Sequence, residues 1–569
     1  MLLSEVAKLR NGDFDESLIE ATINNYKMQM MRSFEENESR AMLYVYSFIN
    51  GADWADEVQQ LDRMSKITKQ DVVDWANKYL GPESYAIVYK REGKDPNEQK
   101  IAAPKITPIV TNRDSQSEFL TEIQNSKVEP IEPVFVDYKK DMSQFEAQKG
   151  VNVLYKKNET NDIFTLIYVF NTGTENDPAL NLAFDYLSYL GTDKMSAEQI
   201  ASEMYAIACS FGLSAGTNQS WIEISGLSEN MGKAMEIVEG LIAGAQPNEE
   251  ILQNLKGDMI KSRADAKLNQ SRCFGALQRY MIYGSDFIRR TTLTDPALQG
   301  LTSEQLLAKI GDLMGKQHEV LYYGPQDEAE VKAALAAHHK VAADLQPLEK
   351  KFSTLQPTDE NKVMLAQYDA KQLYYMQYSN RGEKFDLAAD PQITLYNEYF
   401  GGGMNTIVFQ EMREARGLAY SAWANLAIPT NAKGDYYYMA FIATQNDKMQ
   451  KAIEAFDEII NNMPESEKAF DIAKEALISR LRTERTVKDG VLWSYIRMRD
   501  LGLTEPRGKQ IFEKAQQMTL ADVKAAQEKW VKGRKYVYGI LGDIQDLDLN
   551  YLKTLGPIQT VTQEEIFGY

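Results

Sequence analysis

Two patterns of polar and apolar positions recur three times along this chain, and they divide it into repeats. The first is helical: DESLIEATINNYKMQMMRSFEENES from Asp15, NEEILQNLKGDMIKSRADAKLNQSR from Asn248 and SEKAFDIAKEALISRLRTERTVKDG from Ser466. Each opens on a capping residue followed by acidic positions, as a helix N-terminus requires. The second runs ITKQDVVDWANKYLGPESYAIVYK from Ile67, LTSEQLLAKIGDLMGKQHEVLYYG from Leu301 and MTLADVKAAQEKWVKGRKYVYGILGD from Met518. Here Thr68, Thr302 and Thr519 stand at N-cap positions, with Asp71, Gln305 and Asp522 three residues on, the spacing of a capping box. Each of these helices is predicted to lead into a short aromatic and β-branched strand.

Both patterns keep step. The step from Asp15 to Asn248 differs by a single position from that between Thr68 and Thr302, and the step from Asn248 to Ser466 differs by one from that between Thr302 and Thr519. Two independent markers at one spacing predict tandem domains of about 220 residues. The front of the repeat is matched twice, DIFTLIYVFNTG from Asp162 and KQLYYMQYSNRG from Lys371, and has no counterpart in the first copy. Roughly 130 residues of a first domain are therefore expected to lie elsewhere, and the chain reads as a fragment, a processed product or the partner of a separate polypeptide. The predicted boundaries are the back of a truncated domain over 1–93, a Pro-containing linker over 94–127, a second copy over 128–345, a linker over 346–361 and a third copy over 362–569. Helices and strands in this order predict an α+β class of tandem two-layer domains, each a mostly antiparallel sheet packed with helices.

Composition narrows the functions. With 63 basic against 82 acidic residues the net charge is −19, which argues against nucleic acid as a partner. Cys209 and Cys273 are the two cysteines, so no C-x-x-C motif exists, and two buried thiols are expected rather than one bridge. No apolar run approaches the ~18 residues of a membrane span. The N-terminal residues carry Glu5, Lys8 and Arg10 where a signal peptide would be apolar.

Candidate chemistry gathers in FGGGMNTIVFQEMREARGLAY, from Phe400 to Tyr420. Val408, Met412 and Ala415 fall on one face of a short predicted helix that ends at Gly417, with Arg413 at the edge of that face. Tyr420 opens the following strand. A guanidinium and a phenol converging there suit a developing oxyanion, since both donate hydrogen bonds. Helix-dipole pairing for Arg413 and ordinary strand packing for Tyr420 are the structural alternatives, as a tight turn is for the three glycines. Aligning Gly212 with Gly417 puts Ala208 opposite Arg413 and Ala215 opposite Tyr420, so the second copy lacks the pair.

The Gly-Gly-Gly and R-E-x-x-G-L-x-Y pattern resembles the C-terminal half of the pitrilysin/insulinase zinc peptidases, the inverzincins. The resemblance extends over nearly the whole chain and implies four homologous α+β domains closing as a clamshell around a peptide-degrading chamber. It implies substrate binding at Gly402, Gly403, Arg413 and Tyr420, with Arg413 and Tyr420 also stabilising the tetrahedral intermediate. The family's zinc sits on an H-x-x-E-H helix of the first domain, which is absent here. The corresponding positions of the second copy are Leu182, Asp185 and Tyr186, and the adjacent His338 and His339 point to different helix faces. No metal is therefore expected in this chain; zinc and its general base are expected in an N-terminal half or separate subunit, and this chain alone is expected to be inactive. The alternative within the same fold is a non-catalytic assembly subunit. The compartment is not read from the residues; long bacterial members of the family are commonly exported, a lean toward the periplasm for the intact protein.

Overall fold

The computed structural model describes residues 2–81, 85–93, 102 and 116–569. They form two compact units, Met1–Glu20 with Ala55–Glu132, and Ala21–Trp54 with Pro133–Tyr569. In the smaller unit, helices Leu2–Asn11 and Lys69–Tyr79 pack together. The Thr68 hydroxyl accepts from Asp71 N and the Asp71 carboxylate accepts from Thr68 N, closing the predicted capping box. The strand predicted after this helix does not form: residues 85–90 carry no strand, and Tyr85, Ile87, Val88 and Tyr89 are exposed. Much of the linker placed at 94–127 lies outside the described residues; within it, Glu118–Asn125 is helical.

The larger unit holds two six-stranded sheets. The first contains β1 (Ser143–Gln148), β2 (Val151–Lys157), β3 (Ile163–Phe170), β4 (Cys209–Ala215), β5 (Ser220–Leu227) and β6 (His318–Gly324), in the order β1-β2-β6-β3-β5-β4. The second contains β7 (Lys362–Gln367), β8 (Gln372–Lys384), β9 (Ser421–Ala427), β10 (Asp435–Gln445), β11 (Val537–Gly542) and β12 (Ile558–Val561), in the order β12-β7-β11-β8-β10-β9. Antiparallel pairs dominate; β2 with β6, β7 with β11 and β7 with β12 are parallel. Both sheets are flanked by helices, so the chain is a tandem α+β protein. The order also explains the missing strand near Tyr85. Its counterparts β6 and β11 sit inside their sheets between strands from the front of the repeat, and no such strand is present in the first copy among the described residues.

The inner face of each sheet packs on its own repeat's helices. Val153, Leu166, Tyr168 and Ile224 meet helices Leu180–Leu187, Met231–Gly244 and Ser303–Met314. The outer faces are covered by exchange. Helix Gln270–Thr291 leaves the second copy and lays Cys273, Phe274, Leu277, Met281 and Ile282 against Met364, Met376, Tyr378, Val537 and Leu541 of the second sheet. In return helix Gly490–Asp500 places Val491, Leu492 and Ile496 against Leu154, Ile167, Val169 and Leu321 of the first. Gly539 on β11 leaves the space Met281 fills, since a Cβ there would overlap the thioether. At ~1.5–3 kcal/mol per fully buried apolar side chain, either contact is large beside the stability of one domain. The two repeats are thus locked in pairs rather than strung as beads.

Cys209 and Cys273 are buried free thiols, and burial raises Cys209 to about 12. No helix among the described residues is long and apolar enough to cross a membrane.

Candidate active site

The glycine segment follows helix Asp390–Phe400, and its three glycines differ in what demands them. At Gly401 a Cβ would lie 2.6 Å from the carbonyl oxygens of both Ala424 and Asn397. The Gly401 carbonyl also accepts from Ala424 N at 3.2 Å, tying the turn to β9. Gly402 and Gly403 are exposed, and a Cβ at Gly402 meets nothing within 4 Å. No steric demand of the fold accounts for Gly402. The loop is fastened instead through Thr406, whose N–H and hydroxyl both donate to the Gly403 carbonyl at 3.0 and 2.7 Å.

The helix that follows is not the regular one the spacing predicts. After Ile407–Phe409 the chain widens into a π turn over Gln410–Ala415. Val408 and Met412 are fully buried, but the i→i+5 turn carries Ala415 out of their face, and it is exposed. Insertions of this kind re-aim side chains and are frequent at functional sites. Gly417 takes a left-handed φ of +56°, Leu418 N donates back to the Met412 carbonyl at 2.9 Å, and Thr444 Oγ1 donates to the Leu418 carbonyl at 2.6 Å. The chain then enters β9 one residue after Tyr420.

This turn sorts its two arginines. Arg416 is bound to Glu458 at 2.8 Å and to Glu411 at 3.3 Å, and the Glu458 carboxylate raises it above the ordinary guanidinium range. Arg413 lies between two rings instead, its guanidinium carbon 4.8 Å from the centre of Phe409 and 4.6 Å from that of Tyr420. Its carboxylate neighbour is Glu414 at 3.5 Å. Arg413 and Tyr420 therefore meet, with the phenol 80% exposed. Gly402 and Gly403 stand on the loop ahead of the helix. Phe409 was not singled out in the sequence, although its position four residues before Arg413 is the signal for that contact.

Beside Tyr420 an open depression of about 430 Å³ is lined by Trp423, Phe441, Tyr374 and Phe274, with Ser421 and Gln372 among its polar neighbours. Phe274 comes from the exchanged helix, so both repeats build this wall.

The second copy lacks the pair, by a different correspondence from the one the glycines suggest. Thr165 faces Ser225 and Ser225 faces Ser210, while the matching Tyr374 faces Ala443 and Ala443 faces Ser421. Sheet register therefore equates Ser210 with Ser421, and Cys209, not Ala215, stands where Tyr420 does. Gly212 is an ordinary strand residue; the left-handed residue of that turn is Ala208, with φ +48°. Glycine alignment fails because the two segments differ in length between the matched strands.

The positions corresponding to H-x-x-E-H lie on helix Leu180–Leu187. Leu182 and Tyr186 are buried, and the Tyr186 hydroxyl is bonded to Ser303 Oγ at 2.8 Å and to the backbone of Asn248. They are core residues and do not fit a zinc site. His339 separates from His338 as expected, and turns inward to His318: their Nε2 atoms are 2.8 Å apart, with Glu239 Oε1 2.5 Å from His339 Nδ1. The Lys316 carbonyl at 2.8 Å requires the proton on His318 Nδ1, so His318 Nε2 accepts from His339. Burial, then His339, lowers His318 to about 4. Among the described residues no group of three His, Cys, Asp or Glu side chains is arranged to hold a metal ion.

The peptidase M16 inactive domain matches residues 315–477, a span that contains β6 to β10 and the whole glycine and Arg413–Tyr420 turn. An uncharacterized zinc protease of Streptomyces coelicolor is 23% identical over 269 residues, 44% of this chain and 56% of its own. Another, from Rickettsia bellii, is 24% identical over 310 residues, 53% of this chain and 70% of its own. The matched part of this chain thus spans little more than half the length of the first relative. A peptidase M16 inactive domain from Pseudomonas fluorescens has the same fold, with a TM-score of 0.57 at 19% identity over 71% of this chain and 98% of that one. The periplasmic protease PqqL from Escherichia coli, at TM-score 0.57 and 14% identity, covers 95% of this chain and 63% of its own. Residues 315–477 thus match the inactive domain of the peptidase M16 family, the pitrilysin/insulinase metallopeptidases, and the chain shares its fold with solved structures of that kind.

Proposed function

We propose that this chain is the non-zinc half of a zinc-dependent endopeptidase that degrades peptides inside a closed clamshell chamber. The observation that carries the reading is the meeting of Arg413 with Tyr420 at an exposed turn beside an aromatic wall. In this reading the guanidinium and the phenol donate to the oxygen of the scissile carbonyl as negative charge develops on it. The seat of Arg413 between Phe409 and Tyr420 fixes the guanidinium plane before substrate arrives. Gly402 and Gly403, with no side chain in the way, let a peptide backbone approach closely. The metal and the general base belong to the partner half, because the residues at the corresponding positions here are Leu182, Asp185 and Tyr186.

The test combines this chain with the H-x-x-E-H half and zinc and follows peptide cleavage against each half alone. Cleavage by the mixture and by neither half supports the reading. Equal cleavage by the zinc half alone would sink it. The second reading, a non-catalytic assembly subunit, is favoured by the family description of this domain as inactive; it predicts that Arg413→Ala leaves the rate of any complex unchanged.

A further inference from the structure

The helix that crosses between repeats has a third copy, and its apolar face is largely exposed, with Tyr44 resting on the Trp54 ring. Helix Asn37–Asn50 follows Ser17–Phe34 as the first part of Gln270–Thr291 follows Glu249–Lys267 and as Gly490–Asp500 follows Glu467–Thr483. All three are succeeded by a glycine of positive φ: Gly51 at +63°, Gly284 at +81° and Gly502 at +70°. The shift that carries Asp15 onto Asn248 also carries Gly51 onto Gly284, and the shift that carries Asn248 onto Ser466 carries Gly284 onto Gly502, without a gap. Counted back from these glycines, Tyr44, Phe48 and Ile49 occupy the positions of Leu277, Met281 and Ile282.

Those three positions are buried on the second sheet in the one copy. In the first copy Tyr44 is 59% exposed, Phe48 87% and Ile49 66%, with Val45 exposed between them. Aromatic side chains bury about 150–250 Å² each, so the face amounts to several hundred Å², the size that marks an interaction site rather than a scatter of surface residues.

We infer that this face of helix Asn37–Asn50 is the docking surface for the apolar outer face of a β-sheet in another domain of the same fold, one belonging to the zinc-bearing half. The helix continues an interface already formed. Glu35 and Glu36, directly ahead of it, bind Lys488 Nζ at 3.1 and 2.5 Å, and Lys488 stands two residues before the helix that crosses onto the first sheet. A second copy of this chain offers no equivalent seat, since helices Gly490–Asp500 and Gln270–Thr291 already cover both outer faces. The inference rests on the reading that a second half of this fold exists, but not on its hydrolysing anything.

The test mixes the full chain with the separately expressed H-x-x-E-H half and follows sedimentation velocity and amide hydrogen exchange. A one-to-one complex is expected, with added protection over residues 41–50. Phe48→Asp with Ile49→Asp weakens it roughly 100-fold, and Phe48→Ala alone weakens it roughly tenfold, with circular dichroism and melting unchanged. Absence of a complex, a complex that leaves residues 41–50 exchanging as in the free chain, one indifferent to the double substitution, or a homodimer through Phe48 each overturns the inference. A complex with the expected protection that cleaves no peptide sinks the peptidase reading and leaves the docking surface standing. Cleavage by a mixture whose helix gains no protection does the reverse.

Discussion

Gln377 of β8 donates to Asp457 Oδ1 at 2.9 Å beneath the second sheet and holds a half-buried carboxyl there. Desolvation, opposed by this bond, raises Asp457 to about 6. A carboxyl whose folded value exceeds its unfolded one adds stability below the unfolded value, and that stability is lost as pH rises through about 6. Asp457→Asn keeps an acceptor for Gln377, so it is expected to raise the stability at pH 7.5, read from urea unfolding, by about 1–3 kcal/mol and to give little gain at pH 4. An equal gain at both pH values would place the effect in packing.

His318 has the opposite sign. Its folded value near 4 lies below the ordinary 6.5, so its share of stability is complete above 6.5 and is lost as pH falls toward 4. The ring protons of His318 are expected to titrate with a midpoint near 4 by NMR. A midpoint near 6.5 would mean that the ring is solvated. Because Asp457 and His318 oppose each other over this window, the pH profile of the intact chain is expected to be flatter than that of either single variant.

Gly401 and Gly402 are adjacent and should respond differently. Gly401→Ala forces a methyl against two carbonyl oxygens and is expected to cost about 2 kcal/mol or more, read by thermal unfolding. Gly402→Ala enters open space and should stay within about 0.5 kcal/mol. Loss of peptide cleavage in the reconstituted enzyme without loss of stability would then report substrate approach at Gly402.

In the reconstituted enzyme, Tyr420→Phe and Arg413→Ala are each expected to lower turnover more than about tenfold, about 1.4 kcal/mol or more of transition-state stabilisation. Arg413→Lys should not restore it, because an ammonium cannot stack between Phe409 and Tyr420 as a guanidinium does. Melting should hardly move, since Tyr420 is 80% exposed. Unchanged turnover in all three variants would remove the pair from the mechanism.

What the sequence disclosed follows the range of the forces involved. Caps are local, so Thr68, Thr302 and Thr519 could be placed by inspection, as could Asn248 and Ser466, whose side chains accept from Ile251 N and Ala469 N. The α+β class followed from the order of those helices and their strands. Ala415 was misplaced because a 3.6-residue period was assumed through a turn that widens to π. Ala215 was set opposite Tyr420 because glycine spacing cannot count a length difference that sheet register reveals at Cys209. His318 and His339, 21 residues apart on a strand and at the end of a helix, meet through tertiary packing that no spacing rule reports. The exchange of helices was hidden for a related reason: Phe274, Leu277 and Met281 form an ordinary apolar stripe, and a stripe does not say which sheet it will cover.

That exchange also sets an order of events during synthesis. The first sheet has all its strands once Gly324 has been made, yet the residues that shield its outer face, Val491, Leu492 and Ile496, emerge only after β7 to β10 have followed. Until then Leu154, Ile167 and Leu321 lack the helix that completes their cover, and the helix carrying Phe274 waits for a sheet not yet translated. Cutting the chain between the repeats would leave both pieces permanently in that state. The stretch at 346–361 looks like a hinge between modules, but it joins two halves of one folding unit, and separate expression of either side is a route to aggregation rather than to a domain.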